Sequence, residues 1–110
     1  MIEEQLQKQR KDSFVTLLNL MENNLMTDEI AECWRMYETT VNVCIFCEDA
    51  LKQIEAGTLE CDEDYKQVYV EDMHGSHHAA NEFNERFHTL AKAIESNSNG
   101  DGIIIDDLPF

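Results

Sequence analysis

Cys44 and Cys47 are the first residues in the chain whose type and spacing could do chemistry. Thiols in a Cys-x-x-Cys pair serve as a redox couple or as half of a zinc site. A redox couple needs a preceding strand and a helix amino terminus to lower one thiol pKa. This pair instead falls deep inside a long helical pattern, where Cys behaves as a small hydrophobe. His74, His77 and His78 form a second cluster, and His74 with His78 would share a face if a helix continued back past Gly75. Cys44, Cys47, His74 and His78 are thus a candidate zinc set that would staple two helices. Gly75 argues against a continuous helix, and small zinc modules bracket a knuckle with two tight ligand pairs. The preferred reading is core cysteines and a histidine-rich helix start on the surface, with no metal or other cofactor. His88 stands alone between Phe87 and Thr89 and reads as a surface or boundary residue.

No other constellation points to catalysis. An enzyme would show a nucleophile with a base and an orienting group, a phosphate-cradling loop or a metal cluster. Of the four glycines, Gly100 and Gly102 lie in a polar spacer, which leaves none for a Gly-rich loop. Carboxylates are so many that nominal acid/base pairs discriminate nothing. The chain reads as non-enzymatic.

The elements that hold these residues are helices. Residues 2 to about 24 carry Ile2, Leu6, Phe14, Leu17, Leu18, Met21 and Leu25 at three- and four-residue steps, interrupted by Lys8 and Gln9. Glu3 and Glu4 suit the positive end of the dipole, and Asn23-Asn24 can supply the left-handed residue of a stop. Lys8, Arg10 and Lys11 make the only basic cluster, read as a solvated face. Thr27 or Asp28 caps a second helix that ends before Gly57, with Ile30, Trp34, Tyr37, Val41, Cys44 and Leu51 on its stripe and Cys33, Cys47 and Ile54 beside it. At nearly thirty residues this helix is the spine, and the short break at 25 to 27 predicts an antiparallel helical hairpin. Thr58 to Gly75 reads as a loop with a short helix. Asp72 or Ser76 then opens a third helix running to about Ser96, with Ala79 or Ala80, Phe83, Phe87, Leu90, Ala91 and Ile94 inward. The expected fold is an all-α small bundle over residues 1–96, followed by a linker and acidic tail at 97–110.

Trp34, Tyr37 and Phe46 point around the second helix at angles that cannot all face one neighbour. Phe46 with Val43 therefore suggests an exposed apolar strip, a homodimer or partner face; complete burial in a larger bundle is the other reading.

Composition bounds the partners. A chain of 110 residues makes one domain with a modest core. Eight Lys and Arg against 23 Asp and Glu, net −15, exclude an ordinary nucleic-acid-binding body, because phosphate contacts need cations. Such charge favours basic protein surfaces or simply solubility. Four cysteines without a secretory signal fit a reduced cytoplasm, that of a bacterial host cell. No apolar run approaches the roughly 20 residues that span a bilayer.

The last residues carry the one specific signal. Asp106-Asp107-Leu108-Pro109-Phe110 closes the chain on an aromatic side chain with its own free carboxylate, after Ile103-Ile104-Ile105. Phe110 can fill an apolar pocket for roughly 1.5–3 kcal/mol, while its carboxylate meets an Arg beside that pocket. Pro109 lowers the entropy lost on docking, and Asp106 and Asp107 suit a basic rim. This ending resembles the acidic docking tip of bacterial single-stranded-DNA-binding proteins. The resemblance implies partners that recognise the tip: nucleases, helicases, recombination mediators and replisome subunits. It covers about a tenth of the chain and stops there, since that family carries an OB barrel that stacks and holds DNA, whereas this body is helical and acidic. Ile103 to Ile105 also depart from the mostly acidic run that precedes the tip in the family, so Ile105 joins Asp106 to Phe110 as a partner-binding residue.

The expected function is an interaction protein, of phage or mobile-element style, that docks on replication, recombination or repair enzymes to recruit or inhibit them. One alternative is an acidic DNA mimic that inhibits a host defence nuclease of the restriction or CRISPR kind, which explains the charge but not the ending. Another is the zinc-stapled helical module.

Overall fold

The computed structural model describes residues 2–99, which form three helices: α1 (Ile2–Glu22), α2 (Asp28–Ala56) and α3 (Glu63–Asn99). The fold is a small all-α bundle, and among the described residues there is no strand. Local chemistry sets its corners. α1 stops where Asn24 takes a left-handed φ of 57° and the Leu25 N–H donates to the Leu20 carbonyl at 2.8 Å. Thr27 sits extended before α2, and its hydroxyl accepts from the Ile30 N–H at 3.1 Å. Gly57 ends α2 at φ 81°, its N–H donating to the Ile54 carbonyl and the Thr58 N–H to that of Gln53. Asp62 then opens α3 by accepting the Tyr65 N–H at 2.9 Å.

α1 and α3 run parallel to each other and antiparallel to α2. Residue pairs across the bundle fix this: Glu3 meets Glu48 and Arg10 meets Asn42, while Gln9 meets Asn81 and Ser13 meets Asn84. The result is narrow, 61 × 23 × 17 Å. The core follows α2: Trp34 packs against Phe87 at 5.1 Å and Tyr37 at 5.3 Å between ring centroids, above Leu6, Leu17, Leu20, Ile30, Val41 and Cys44. Cys33 and Cys44 of α2 and Ala80 and Ala91 of α3 are all buried in the core, and small side chains on both helices allow close approach. α1, about 31 Å long at 1.5 Å per residue, begins level with Glu48 and Met73. It leaves the closed end of the α2/α3 hairpin without a third helix.

Two expectations need correction. The stretch Thr58 to Gly75 is not mainly loop: α3 starts at Glu63 and runs through Gly75 without a break, then persists to Asn99 beyond the expected stop near Ser96. Gly75 costs a helix interior only about 0.5–1 kcal/mol, and packing of the flanking turns on α2 offsets that. The α1 stripe is also narrower than its periodicity suggests. Phe14, Leu18 and Met21 remain 45, 39 and 55 % exposed, while Ser13 and Leu20 occupy the buried line.

The two glycines within and after helices should respond to alanine with opposite signs. Gly57→Ala forces a left-handed alanine and should lower stability by about 1 kcal/mol. Gly75→Ala meets nothing within 4 Å and should raise it by about 0.5–1 kcal/mol; urea unfolding at low protein concentration checks both.

Candidate functional site

The residues of the docking tip, Ile105, Asp106, Asp107, Leu108, Pro109 and Phe110, lie outside the described residues. What the structure does place is the rest of the chemistry-bearing set.

Polar side chains meet in the middle of the bundle. The buried Tyr37 hydroxyl donates to Gln9 Oε1 at 2.9 Å, and Gln9 Nε2 donates to Asn81 Oδ1 at 3.0 Å. One chain of hydrogen bonds thus ties α2, α1 and α3. A turn further on, Ser13 Oγ lies 2.6 Å from Asn84 Oδ1 and 2.9 Å from His88 Nε2. If the hydroxyl gives its proton to Asn84, its oxygen accepts from His88 Nε2–H, which selects that tautomer. Serine and histidine at this distance have the form of a nucleophile and base. Ser13, however, is only 1 % exposed, wedged between helices with its proton committed to Asn84, so a substrate could not reach it. The group works as an interhelical polar ladder. His88, expected to stand alone, is one of its rungs.

Sequence reading passed over this ladder, noting Gln9 only as an interruption. The signal was there in retrospect: Gln9 and Ser13 are four apart, and Asn81, Asn84 and His88 recur at three and four, each set on the line its helix buries. What no single helix reveals is that the two polar lines face each other.

The cysteines are core residues. Cys33, Cys44 and Cys47 are buried and Cys61 is half-buried, all as free thiols. Cys44 Sγ–H points to the Met73 carbonyl and Cys33 Sγ–H to the Phe83 carbonyl, each at 3.4 Å, two weak ties between α2 and α3. Burial pushes all three buried thiols above their ordinary range, so they are poor nucleophiles and poor ligands at neutral pH. His74 and His78 do share a face of the continuous α3, but both are exposed, and His78 pairs with Glu82 at 2.6 Å. The two cysteines point into the core and the histidines to solvent. Among the described residues no group of three or more His, Cys, Asp or Glu is arranged to hold a metal ion.

At the start of α1 a carboxylate does a cap's work from another helix. Glu48 Oε2, on α2, accepts the Glu3 N–H at 3.1 Å, where the dipole of α1 is positive. Glu48 Oε1 lies 3.3 Å from Lys52 Nζ, an ion-pair distance without hydrogen-bond alignment.

Three surfaces remain. Trp34 and Tyr37 are inside, whereas Phe46 is 64 % and Val43 42 % exposed, as the exposed-strip reading expects. Phe46 touches Tyr69 at 6.3 Å between centroids, and Tyr65 and Val68 extend the same apolar area. Phe14 and Trp34 floor a shallow depression edged by Gln7, Arg10, Lys11 and Glu38. A smaller one of about 120 Å³ lies between Cys33, Met36 and Phe83, edged by Glu29, Glu32 and Arg86. Comparison of the chain with protein-family models, with curated proteins and with solved structures returned no match.

The ladder and the buried ionisable groups make two tests. Ser13→Ala leaves Asn84 and His88 facing a methyl group and should cost roughly 1–3 kcal/mol, part of which returns when Asn84 is made Leu in the same chain; chemical denaturation measures both. Burial also raises the Tyr37 phenol to about 12. Groups that stay neutral in the folded chain but ionise in the unfolded one withdraw stability as pH rises. The folded state should therefore weaken from the ordinary thiol value of 9.0 upward and continue to weaken toward pH 12 through Tyr37. A Tyr37→Phe chain should lose the upper part of that slope in a pH series of melting curves.

Proposed function

We propose that this is a non-enzymatic interaction protein whose tail docks on proteins that recognise the acidic tip of single-stranded-DNA-binding proteins. The observation that carries the reading is the run Asp106-Asp107-Leu108-Pro109-Phe110. It combines an aromatic anchor, a proline that limits the entropy lost, and two carboxylates for a basic rim. The rest of the chain supports the reading by its charge: with net −15 and eight Lys and Arg, it is the wrong body to hold DNA itself. A basic rim around the pocket that takes the tip would suit Asp106 and Asp107, and an acidic body would speed encounter with it. The partner class is nucleases, helicases, recombination mediators and replisome subunits. A chain that imitates a host docking signal suits a phage or mobile element, which would gain by recruiting or blocking those enzymes.

Capture from a bacterial lysate is the test. The intact chain should retain proteins that a synthetic peptide ending in Asp-Asp-Leu-Pro-Phe displaces, and Phe110→Ala should lose most of them. A free-acid peptide of residues 101–110 should compete, and the same peptide amidated at its carboxyl end should not. Capture that is indifferent to Phe110 and collapses steeply with salt would instead favour a DNA mimic, whose attraction is wholly electrostatic.

A further inference from the structure

Among the described residues nothing covers the side of the α2/α3 hairpin that faces away from α1. On α3 it is a band of Val68, Asp72, Gly75, Ala79, Phe83, Arg86 and Leu90, spaced by fours and threes. At 100° per residue this band lies about half a turn round α3 from Asn81, Asn84 and His88, which meet α1. Each of its residues is half-buried or exposed, and Met36, Val43 and Phe46 of α2 flank it. In a four-helix bundle another helix would lie here.

We infer that a second copy of this chain covers this face, as an antiparallel dimer with its twofold axis at Ala79. Three properties of the band single out that occupant. Along α3 its charge is balanced: in a chain of net −15, the band holds one acid, Asp72, and one base, Arg86, while Glu29 and Glu32 of α2 and Glu82 of α3 edge it beside Arg86. Along the centre of the band like-charged chains can meet without facing carboxylate against carboxylate. Its charges are also placed symmetrically, seven residues to either side of Ala79, so antiparallel copies set Asp72 of each beside Arg86 of the other. Among the described residues neither makes an ion pair within its own chain. Its shape is self-complementary too. Gly75, four residues before the axis, has open space around it, and it receives the outer edge of Phe83 of the second copy, four residues after, whose inner side packs on that copy's own core. Ala79 meets Ala79 at the closest approach, and Val68 meets Leu90. A twofold contact demands this reciprocity, because one patch must complement itself.

The area is sufficient. From Tyr65 to Leu90 the face is roughly 38 Å long and two helices, or about 20 Å, wide. That is on the order of 750 Å² per copy, close to the ~800 Å² per partner of a stable interface. Antiparallel pairing sends the two α3 carboxyl ends apart, with Asn99 of the two copies roughly 60 Å from each other. Two docking tails would then leave opposite ends of one rod.

Sedimentation equilibrium on the purified chain tests the dimer independently of any tip-binding partner. The expected mass is twice 12.8 kDa. Asp72→Arg and Arg86→Asp should each place like charges across the axis and weaken association by about tenfold or more. The double variant, with both charges reversed, should restore it. Ala79→Glu should give a monomer with unchanged helical circular dichroism, which separates lost association from lost folding. A wild-type chain that stays monomeric through the micromolar range overturns the proposal. So does a dimer indifferent to both single reversals, or one that the double reversal fails to restore.

Discussion

The Tyr37 hydroxyl is the constraint on which the arrangement of helices depends. A phenol with no exposed surface must find a partner or lose the free energy of its desolvation. Its partner is Gln9, whose amide has its own need and reaches Asn81. Hydrophobic contact alone would let three amphipathic helices slide by a turn at little cost, since apolar burial is not directional. The Tyr37–Gln9–Asn81 chain, with Ser13, Asn84 and His88 one turn on, forbids that slip, because any other register leaves several buried polar groups unpaired. Helix α1, with few apolar residues buried, takes both its position and its parallel alignment with α3 from these bonds.

A second constraint is length. α1 is 21 residues against 37 for α3, so it can cover only part of the hairpin it rests on. Near its amino end the long helices also meet through Phe46 and Tyr69. Among the described residues one whole side of the hairpin has no cover. A protein with 23 acidic residues keeps most of its surface inhospitable to itself, and the band along α3 where opposite charges balance is therefore informative. The tail is the other informative stretch, since the proposed docking rests on its aromatic end and acidic flank. Under the two proposals body and tail would divide the work: helices that assemble and a peptide that docks.

Local chemistry made much of this legible from residues alone. Thr27 and Gly57 bracket α2 because a hydroxyl can cap orphan amides and only glycine takes a left-handed turn freely. The stripe through Ile30, Trp34, Tyr37, Val41 and Cys44 is the core in both readings. Those features depend on a few neighbouring residues, and so does the all-α class. The long α3 was not legible, because Gly75 and the acidic, aromatic stretch around Tyr65 look locally like an interruption. Packing against α2 outweighs that local preference.

The candidate site divides along the same line. Sequence by itself determined the three amphipathic patterns, the bounds of α2, the acidic balance and the run Asp106 to Phe110 that resembles a docking tip, since each is a matter of residue type at short spacing. Only the tertiary structure decided that His88 serves Ser13 rather than solvent, and that Cys44 and His74 point apart rather than toward a shared metal. It also decided that Phe14 and Phe46 stay outside while Ser13 goes in. Those outcomes depend on which face of one helix meets which face of another, a relation between residues some 30 to 75 positions apart that no local pattern encodes.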